Sequence, residues 1–322
     1  MRNENLYLID TIKRRIYDFD SYKNEFNKKK TLISLDSNCC TDLLCNYWSS
    51  RFAKLYGYEM CANYSALEGN SSSFDDETQK YIRYCYITKA KLESYGYNFQ
   101  RQEFTKSFLD AFNHPATDIH NSGIQFLRRV YEIEDLNLKV IIDNFLSFGP
   151  VTKSKQHLIN PFLVHTALFY SYRNKANIKD TPATFLKKQQ YDNPKNKTKD
   201  QIAYNVYMDC YILFHTFHLP VQMSNVIRTT PMRLEPYMSL PIATFDKGMM
   251  LFAKAFFTLY NIFDKNYFEI RNNLEPIFVK KDIINKLSEE DISTLRSECY
   301  PSADDECIKE IVYELLVNRL VF

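Results

Sequence analysis

The chain has 322 residues, of which 45% are hydrophobic, and this is enough to build a sizeable buried core. Its 41 basic and 39 acidic residues give a net charge of only +2, so any polyanionic partner must be bound locally rather than by an overall field. The content of only 6 glycines argues against glycine-rich phosphate loops and against a linker-rich array.

The cysteines and the first residues indicate the compartment. The 8 cysteines include no CxxC pair and no Cys/His grouping with zinc-finger spacing, and the N-terminal stretch MRNENLYLIDTIKRR has no apolar signal-peptide core. We therefore predict reduced thiols and a cytoplasmic protein. Every long apolar stretch is interrupted by Lys, Asp or Asn before it could span a bilayer, so we predict no membrane segment.

The first half of the chain predicts a helix, a strand and then more helices. Residues 1–30 combine charges with apolar residues at helical spacing, which predicts an N-terminal helical extension. The run TLISLD predicts a strand that ends at Asp36, with an amphipathic helix directly after it. The stretch MCANYSALEGN predicts a helical turn that carries Glu68, and residues from about 95 to 200 predict a large helical insertion packed beside the core.

The second half predicts a second strand with an acidic end. The stretch IAYNVYMDCYILFHTFH is apolar on most sides and predicts a buried helix that contains Asp209. The stretch PIATFDKGMMLFAK predicts a strand that ends at Asp246 and an amphipathic helix after it. Residues 263–322 predict a C-terminal helical extension. The simplest organisation is one α/β core over residues 31–262 that carries the insertion.

Four carboxylates share apolar neighbours in the sequence: Asp36, Glu68, Asp209 and Asp246. Burying an unpaired carboxylate costs several kcal/mol, roughly, so such residues are either paired with a cation or gathered on a metal ion. Asp209 has no basic residue three or four positions away on its predicted helix, so its partner must come from elsewhere in the fold. The alternative for Asp36 and Asp246 is that each only caps the helix that follows it.

The order of these motifs resembles that of PIN-domain ribonucleases. The segments TLISLDSNCCTDLL, ANYSALEG, NVYMDCYIL and PIATFDKGMMLFAK are similar to the ordered acidic motifs of that family. The resemblance covers residues 31–94 and about 200–262. It implies a PIN-like three-layer sandwich with a central parallel sheet and helices on both faces.

The resemblance also implies an activity and a set of residues. It implies phosphodiester hydrolysis, most readily of RNA, by a water activated on one or two Mg²⁺ or Mn²⁺ ions. Asp36, Glu68, Asp209 and Asp246 would be catalytic metal ligands, and Asn38 and Thr244 would orient a carboxylate or a water. Such an endoribonuclease could serve RNA processing, act as a growth-arresting toxin or act in antiviral defence, and DNA is not excluded as a substrate.

Several alternatives stay open at this point. Glu103 or Glu132 could take the place of Glu68, and Asp200 could supplement Asp209. The polar loop before the Asp209 helix contains three lysines, Lys195, Lys197 and Lys199. Together with Lys247, which follows the last acidic motif, they are predicted to contact a nucleic-acid backbone. A protein regulator or a homo-oligomer is a further expectation, from the insertion and the C-terminal helices. The alternative function is a non-catalytic binding or scaffold protein on a degenerate PIN-like fold.

Overall fold

The computed structural model describes most of the chain in separate stretches: residues 5–18, 31–44, 55–62, 65, 90, 92–96, 98–99, 117–148, 159–229, 241–267, 287–318 and 320. These residues fall into two compact units. The first comprises those within 1–118 and 207–250, and the second comprises those within 119–206 and 251–322. The predicted insertion and the predicted C-terminal extension thus contribute to the same unit, and the outer bounds of 31–262 for the core stay a prediction.

The strands of the first unit form one open, mixed sheet. They are numbered in chain order: β1 (Tyr7–Asp10), β2 (Arg15–Asp18), β3 (Leu32–Leu35), β4 (Glu59–Cys61), β5 (Asn98–Phe99) and β6 (Ile242–Thr244). Their order across the sheet is β2-β1-β6-β3-β4-β5. Strands β6, β3, β4 and β5 run parallel, and β1 pairs antiparallel with both β2 and β6. The fold class is therefore mixed α/β, which confirms the α/β part of the predicted fold.

The central position of β3 and β6 follows from their composition. All four residues of Leu32–Leu35 and all three of Ile242–Thr244 are buried. Continuous apolar runs of this kind are typical of parallel strands that are covered on both faces. Because β3 and β6 are parallel neighbours, their carboxyl ends lie at the same edge of the sheet.

The prediction of a helix at the N-terminus is wrong for residues 7–18, which form the β1–β2 hairpin. Two local features work against a helix there. The Asp10 carboxylate accepts hydrogen bonds from the amides of Ile12 (3.1 Å) and Lys13 (3.0 Å), which closes a turn. Arg14 adopts φ 52°, a left-handed conformation that ends any right-handed helix. Tyr and Ile residues on both sides then favour strands.

The described helices are also numbered in chain order. They are α1 (Ser37–Leu44), α2 (Thr117–Glu132), α3 (Leu138–Leu146), α4 (Pro161–Ser171), α5 (Lys188–Asp192), α6 (Lys199–Thr229), α7 (Lys247–Tyr267), α8 (Glu289–Glu298) and α9 (Asp305–Val317). A 3₁₀ turn lies at Pro182–Leu186. The helical character predicted for the insertion and the C-terminal extension is confirmed where the structure describes them, except that β5 lies at 98–99. Within the described ranges no helix is long and apolar enough to cross a bilayer.

An aromatic cluster forms the core of the second unit. Phe162 packs on Phe256 with ring centroids 4.1 Å apart, and Phe185 stacks on Phe252 at 4.4 Å. All four rings are buried, and the burial of each contributes roughly 1.5–3 kcal/mol. His165 is fully buried beside Phe256, and its Nε2 donates to the carbonyl of Leu320 at 3.0 Å. Many of the 24 Phe and 24 Tyr residues of the chain therefore serve as core residues.

Candidate functional site

The two acidic strand ends lie side by side in the first unit. Ser34 pairs with Ile242 and Leu35 with Ala243 in the parallel register of β3 and β6. The Asp36 amide continues this ladder and donates to the Ala243 carbonyl at 3.0 Å. The carboxyl edge of a parallel sheet is where α/β proteins usually bind ligands. Asp36 and the end of β6 therefore meet at the edge of the sheet where a ligand site is expected.

Thr244 connects the two acidic residues through one hydroxyl group. Its Oγ1 donates to Asp36 Oδ2 at 2.6 Å and accepts from the Asp246 amide at 2.9 Å. Thr244 itself is fully buried. Because a buried hydroxyl with this set of partners has little freedom to rotate, Thr244 fixes the orientation of the Asp36 carboxylate relative to the backbone of Asp246.

Asn38 completes this hydrogen-bond network. Its Nδ2 donates to Asp36 Oδ2 at 2.5 Å and to Thr244 Oγ1 at 3.2 Å, and its Oδ1 accepts from the Phe245 amide at 3.0 Å. Both ends of the side-chain amide are thus engaged, which leaves one consistent orientation for it. The pairing joins α1 to the chain that leaves β6, two segments separated by more than 200 residues in sequence.

Asp36 is a buried acceptor held by several donors. Asp36 is only 3% exposed, and its Oδ1 accepts a hydrogen bond from the Ser37 amide at 2.8 Å. Hydrogen bonds from Ser37, Asn38 and Thr244 hold this carboxylate in one orientation at the start of α1. A buried, oriented carboxylate is the kind of group that binds a cation.

Asp246 makes the contact of a helix N-cap, and Asp36 makes a different set of contacts. Asp246 Oδ1 accepts from the amide of Met249, three residues later, at 3.0 Å, which is the standard N-cap contact at the start of α7. Asp36 instead bonds the amide of the next residue, Ser37. Asp246 thus has a structural role whatever else it does, whereas the contacts of Asp36 exceed those of a cap.

The other candidate ligands lie on helices or outside the described residues. Asp209 lies on α6 in the first unit and is 3% exposed. Glu68 and Glu103 lie outside the described residues, and Glu132 is exposed at the end of α2. Among the residues that the structure describes, no group of three or more His, Cys, Asp or Glu side chains is arranged to hold a metal ion.

The suggestion that Asp200 supplements Asp209 is wrong. The two residues are nine positions apart on the continuous helix α6, which corresponds to about 13–14 Å along its axis. Asp200 is also exposed and forms an ion pair with Arg128 at 2.7 Å. Its carboxylate therefore belongs to the surface of the second unit.

The structure adds a contact that the sequence analysis did not identify. Ser65 is fully buried, and its Oγ lies 3.1 Å from Cys40 Sγ and donates to the Ala62 carbonyl at 2.9 Å. This contact ties α1, which begins beside Asp36, to the segment that leads towards Glu68. A serine in an apolar stretch carries no sequence signal for such a role. Cys39 and Cys40 are also fully buried.

The predicted backbone-binding lysines are all exposed. Lys195, Lys197 and Lys199 lie in and after the polar loop before α6, and none of the three forms an ion pair with a described residue. The carboxylates on either side are already neutralised, since Asp192 pairs with Lys188 and Asp200 with Arg128. Lys247 is exposed at the first turn of α7.

Comparison of the chain with protein-family models, with curated proteins and with solved structures finds no match. The assignment of a function therefore depends on the residues of this chain and on their geometry.

Proposed function

We propose that the chain is a PIN-like, Mg²⁺- or Mn²⁺-dependent nuclease that cleaves RNA, with Asp36 as its central metal ligand. The observation that supports this most is the network in which Thr244 and Asn38 both bond Asp36 Oδ2 at the carboxyl edge of adjacent parallel strands. An oriented, buried carboxylate at that edge is suited to a hard divalent cation. The PIN-like sandwich is part of this proposal.

The donor chemistry of the site fits the proposed metal. Asp36 and Asp246 follow adjacent strands and offer carboxylate oxygens, the ligands that Mg²⁺ and Mn²⁺ prefer. Asp209 and Glu68 are the further ligands in the proposal. A bound metal would activate a water and neutralise charge on the scissile phosphate. Thr244 and Asn38 hold the Asp36 carboxylate in one orientation, so the site is organised before a substrate binds.

The lysine loop supports a polyanionic substrate. Three exposed lysines whose neighbouring carboxylates are paired elsewhere provide a local positive charge on a chain with little net charge: Lys195, Lys197 and Lys199. Contacts of this kind bind a phosphate backbone without reading its sequence. We include Lys247 as a fourth contact, because it directly follows Asp246.

A cleavage assay tests the proposal. Protein stripped of metal with a chelator is incubated with single-stranded RNA, tRNA and single-stranded DNA, without metal and with Mg²⁺ or Mn²⁺ restored. We expect RNA cleavage only when the metal is restored. Cleavage that persists in excess chelator, or no cleavage of any of the three substrates with either metal, would refute the proposed activity and favour a non-catalytic binding or scaffold role on the same fold.

A further inference from the structure

A cavity of about 360 Å³ lies within the second unit. Its walls come from the end of α2 with the turn that follows, from the end of α4 with its following turn, and from the start of α5. The volume lies within the range of pockets that hold small molecules. None of the residues proposed for the nuclease site lines this cavity, except that Glu132, the alternative to Glu68, contributes to one wall.

Opposite charges face the cavity without neutralising each other. Glu132, Glu134 and Asp135 line the cavity from the end of α2 and the turn after it, and Arg173 and Lys175 line it from the turn after α4. No ion pair joins any of these five side chains to another residue in the described part of the chain. Two walls of unpaired and opposite charge attract a ligand that carries both charges and orient it between them.

Arg173 is held in place by Tyr170. Its guanidinium lies 3.7 Å from the centroid of the Tyr170 ring, and one terminal nitrogen donates to the Tyr170 carbonyl at 2.6 Å. A carboxylate is the acceptor that matches a guanidinium best.

The carboxylate wall is suited to an ammonium group. Helix α2 ends at this wall, and the carbonyl end of a helix favours positive charge. The walls are also fixed relative to one another. Ser171 Oγ donates to the Leu136 carbonyl at 2.5 Å, and the Tyr131 hydroxyl donates to the Leu186 carbonyl at 2.7 Å. The cavity is therefore already formed before a ligand enters.

We propose that this cavity binds a small zwitterion of the α-amino-acid class. The carboxylate of the ligand lies against Arg173 and Lys175, and its ammonium group lies against the acidic wall that contains Glu132, Glu134 and Asp135. A divalent cation alone would leave the Arg173 and Lys175 wall without an anion, and no described group of acidic side chains is arranged to hold a metal. A nucleotide would bring phosphate charge against three carboxylates. The zwitterion satisfies both walls.

Calorimetric titration of the full chain with each of the twenty L-amino acids tests this proposal. The same titrations are repeated with the N-acetyl derivative and the methyl ester of any amino acid that binds, because each derivative lacks one of the two charges. The variants are Glu134→Gln and Lys175→Gln, which alter exposed and unpaired side chains and should leave the fold intact. Glu310→Gln, an exposed glutamate outside the cavity, is the matched control.

We expect at least one amino acid to bind and both of its charge-blocked derivatives to bind at least tenfold more weakly. Each cavity variant should raise the Kd by about tenfold, whereas Glu310→Gln should leave the Kd unchanged. The absence of binding by all twenty amino acids up to ~10 mM would overturn the proposal, since that concentration covers even weak small-ligand affinities. Equal binding of a charge-blocked derivative would also overturn it, as would unchanged affinity in both cavity variants. None of these results depends on nuclease activity.

Discussion

The hydroxyl of Thr244 donates a 2.6 Å hydrogen bond to the Asp36 carboxylate across 208 residues of sequence. The same oxygen accepts from the Asp246 amide, so one side chain sets the geometry between the ends of two neighbouring parallel strands. Thr244 is thus the residue through which the two acidic strand ends are coupled, and its substitution tests whether that coupling matters.

Thr244→Val should lower metal-dependent cleavage by 10- to 100-fold, the usual cost of removing a group that orients a metal ligand. Valine has nearly the same shape, but it leaves Asp36 Oδ2 and the Asp246 amide each without one partner, which costs about 1–3 kcal/mol of unfolding free energy. Cleavage rates and chemical denaturation should be measured on the same preparations. Thr244→Ser keeps the hydroxyl and is the control. Equal activity in the valine and serine variants would show that the hydroxyl does not orient the site.

Two substitutions at Asp246 separate its capping role from catalysis. Asp246→Asn keeps a side-chain oxygen for the Met249 amide, so its unfolding free energy should change little, while the loss of the charge should abolish cleavage. Asp246→Ala removes the cap and should cost roughly 1 kcal/mol in addition. If the Asn variant retains full cleavage, Asp246 is a helix cap and nothing more.

His165 makes stability depend on pH. Burial lowers the pKa of His165 to about 4, from 6.5 in an exposed histidine, while its hydrogen bond to the Leu320 carbonyl opposes that shift. Because the unfolded chain binds the proton more readily, protonation favours unfolding. Stability is therefore full above pH 6.5 and falls as the pH decreases towards 4, by an amount on the order of 3 kcal/mol.

Denaturant unfolding of His165→Gln between pH 7 and pH 4 checks this expectation. The variant should lose part of the slope of unfolding free energy against pH, and His120, whose pKa burial also lowers to about 4, should account for a further part. The matched variant His120→Gln should therefore also flatten the curve. A slope that is the same in the parent and in His165→Gln would contradict this interpretation of His165.

The elements with long, consistent patterns could be predicted from the sequence. Strands β3 and β6 are apolar runs that end in Asp, and each is followed by a helical pattern, so local composition and tertiary structure agree. The residues at the start of the chain could not be predicted in the same way. Their apolar spacing fits a helix, but strand pairing of β1 with β6 overrides it, and pairing partners more than 200 residues apart leave no local signal.

The candidate site shows the same division. Asp36 and Asp246 could be located because an acidic residue directly after an apolar strand is unusual, and the register of β3 and β6 then places them at one edge. The Ser65 contact with Cys40 could not be predicted, because a serine beside apolar residues does not indicate any particular contact. The cavity beside Arg173 depends on helix ends that meet only in the folded chain. The spacing of residues along the sequence does not indicate which helix ends come together in the fold.

The most direct test of the central claim compares two buried aspartates of the same sheet. Asp36 lies at the carboxyl edge, whereas Asp10 lies at the opposite edge and bonds the amides of its own turn. The rate of RNA cleavage in Mg²⁺ or Mn²⁺ should be measured for the parent, Asp36→Asn and Asp10→Asn. We expect Asp36→Asn to abolish cleavage in a folded protein, because a neutral amide replaces the charged metal ligand, whereas Asp10→Asn should cleave at the parental rate. Full cleavage by a folded Asp36→Asn protein would contradict it.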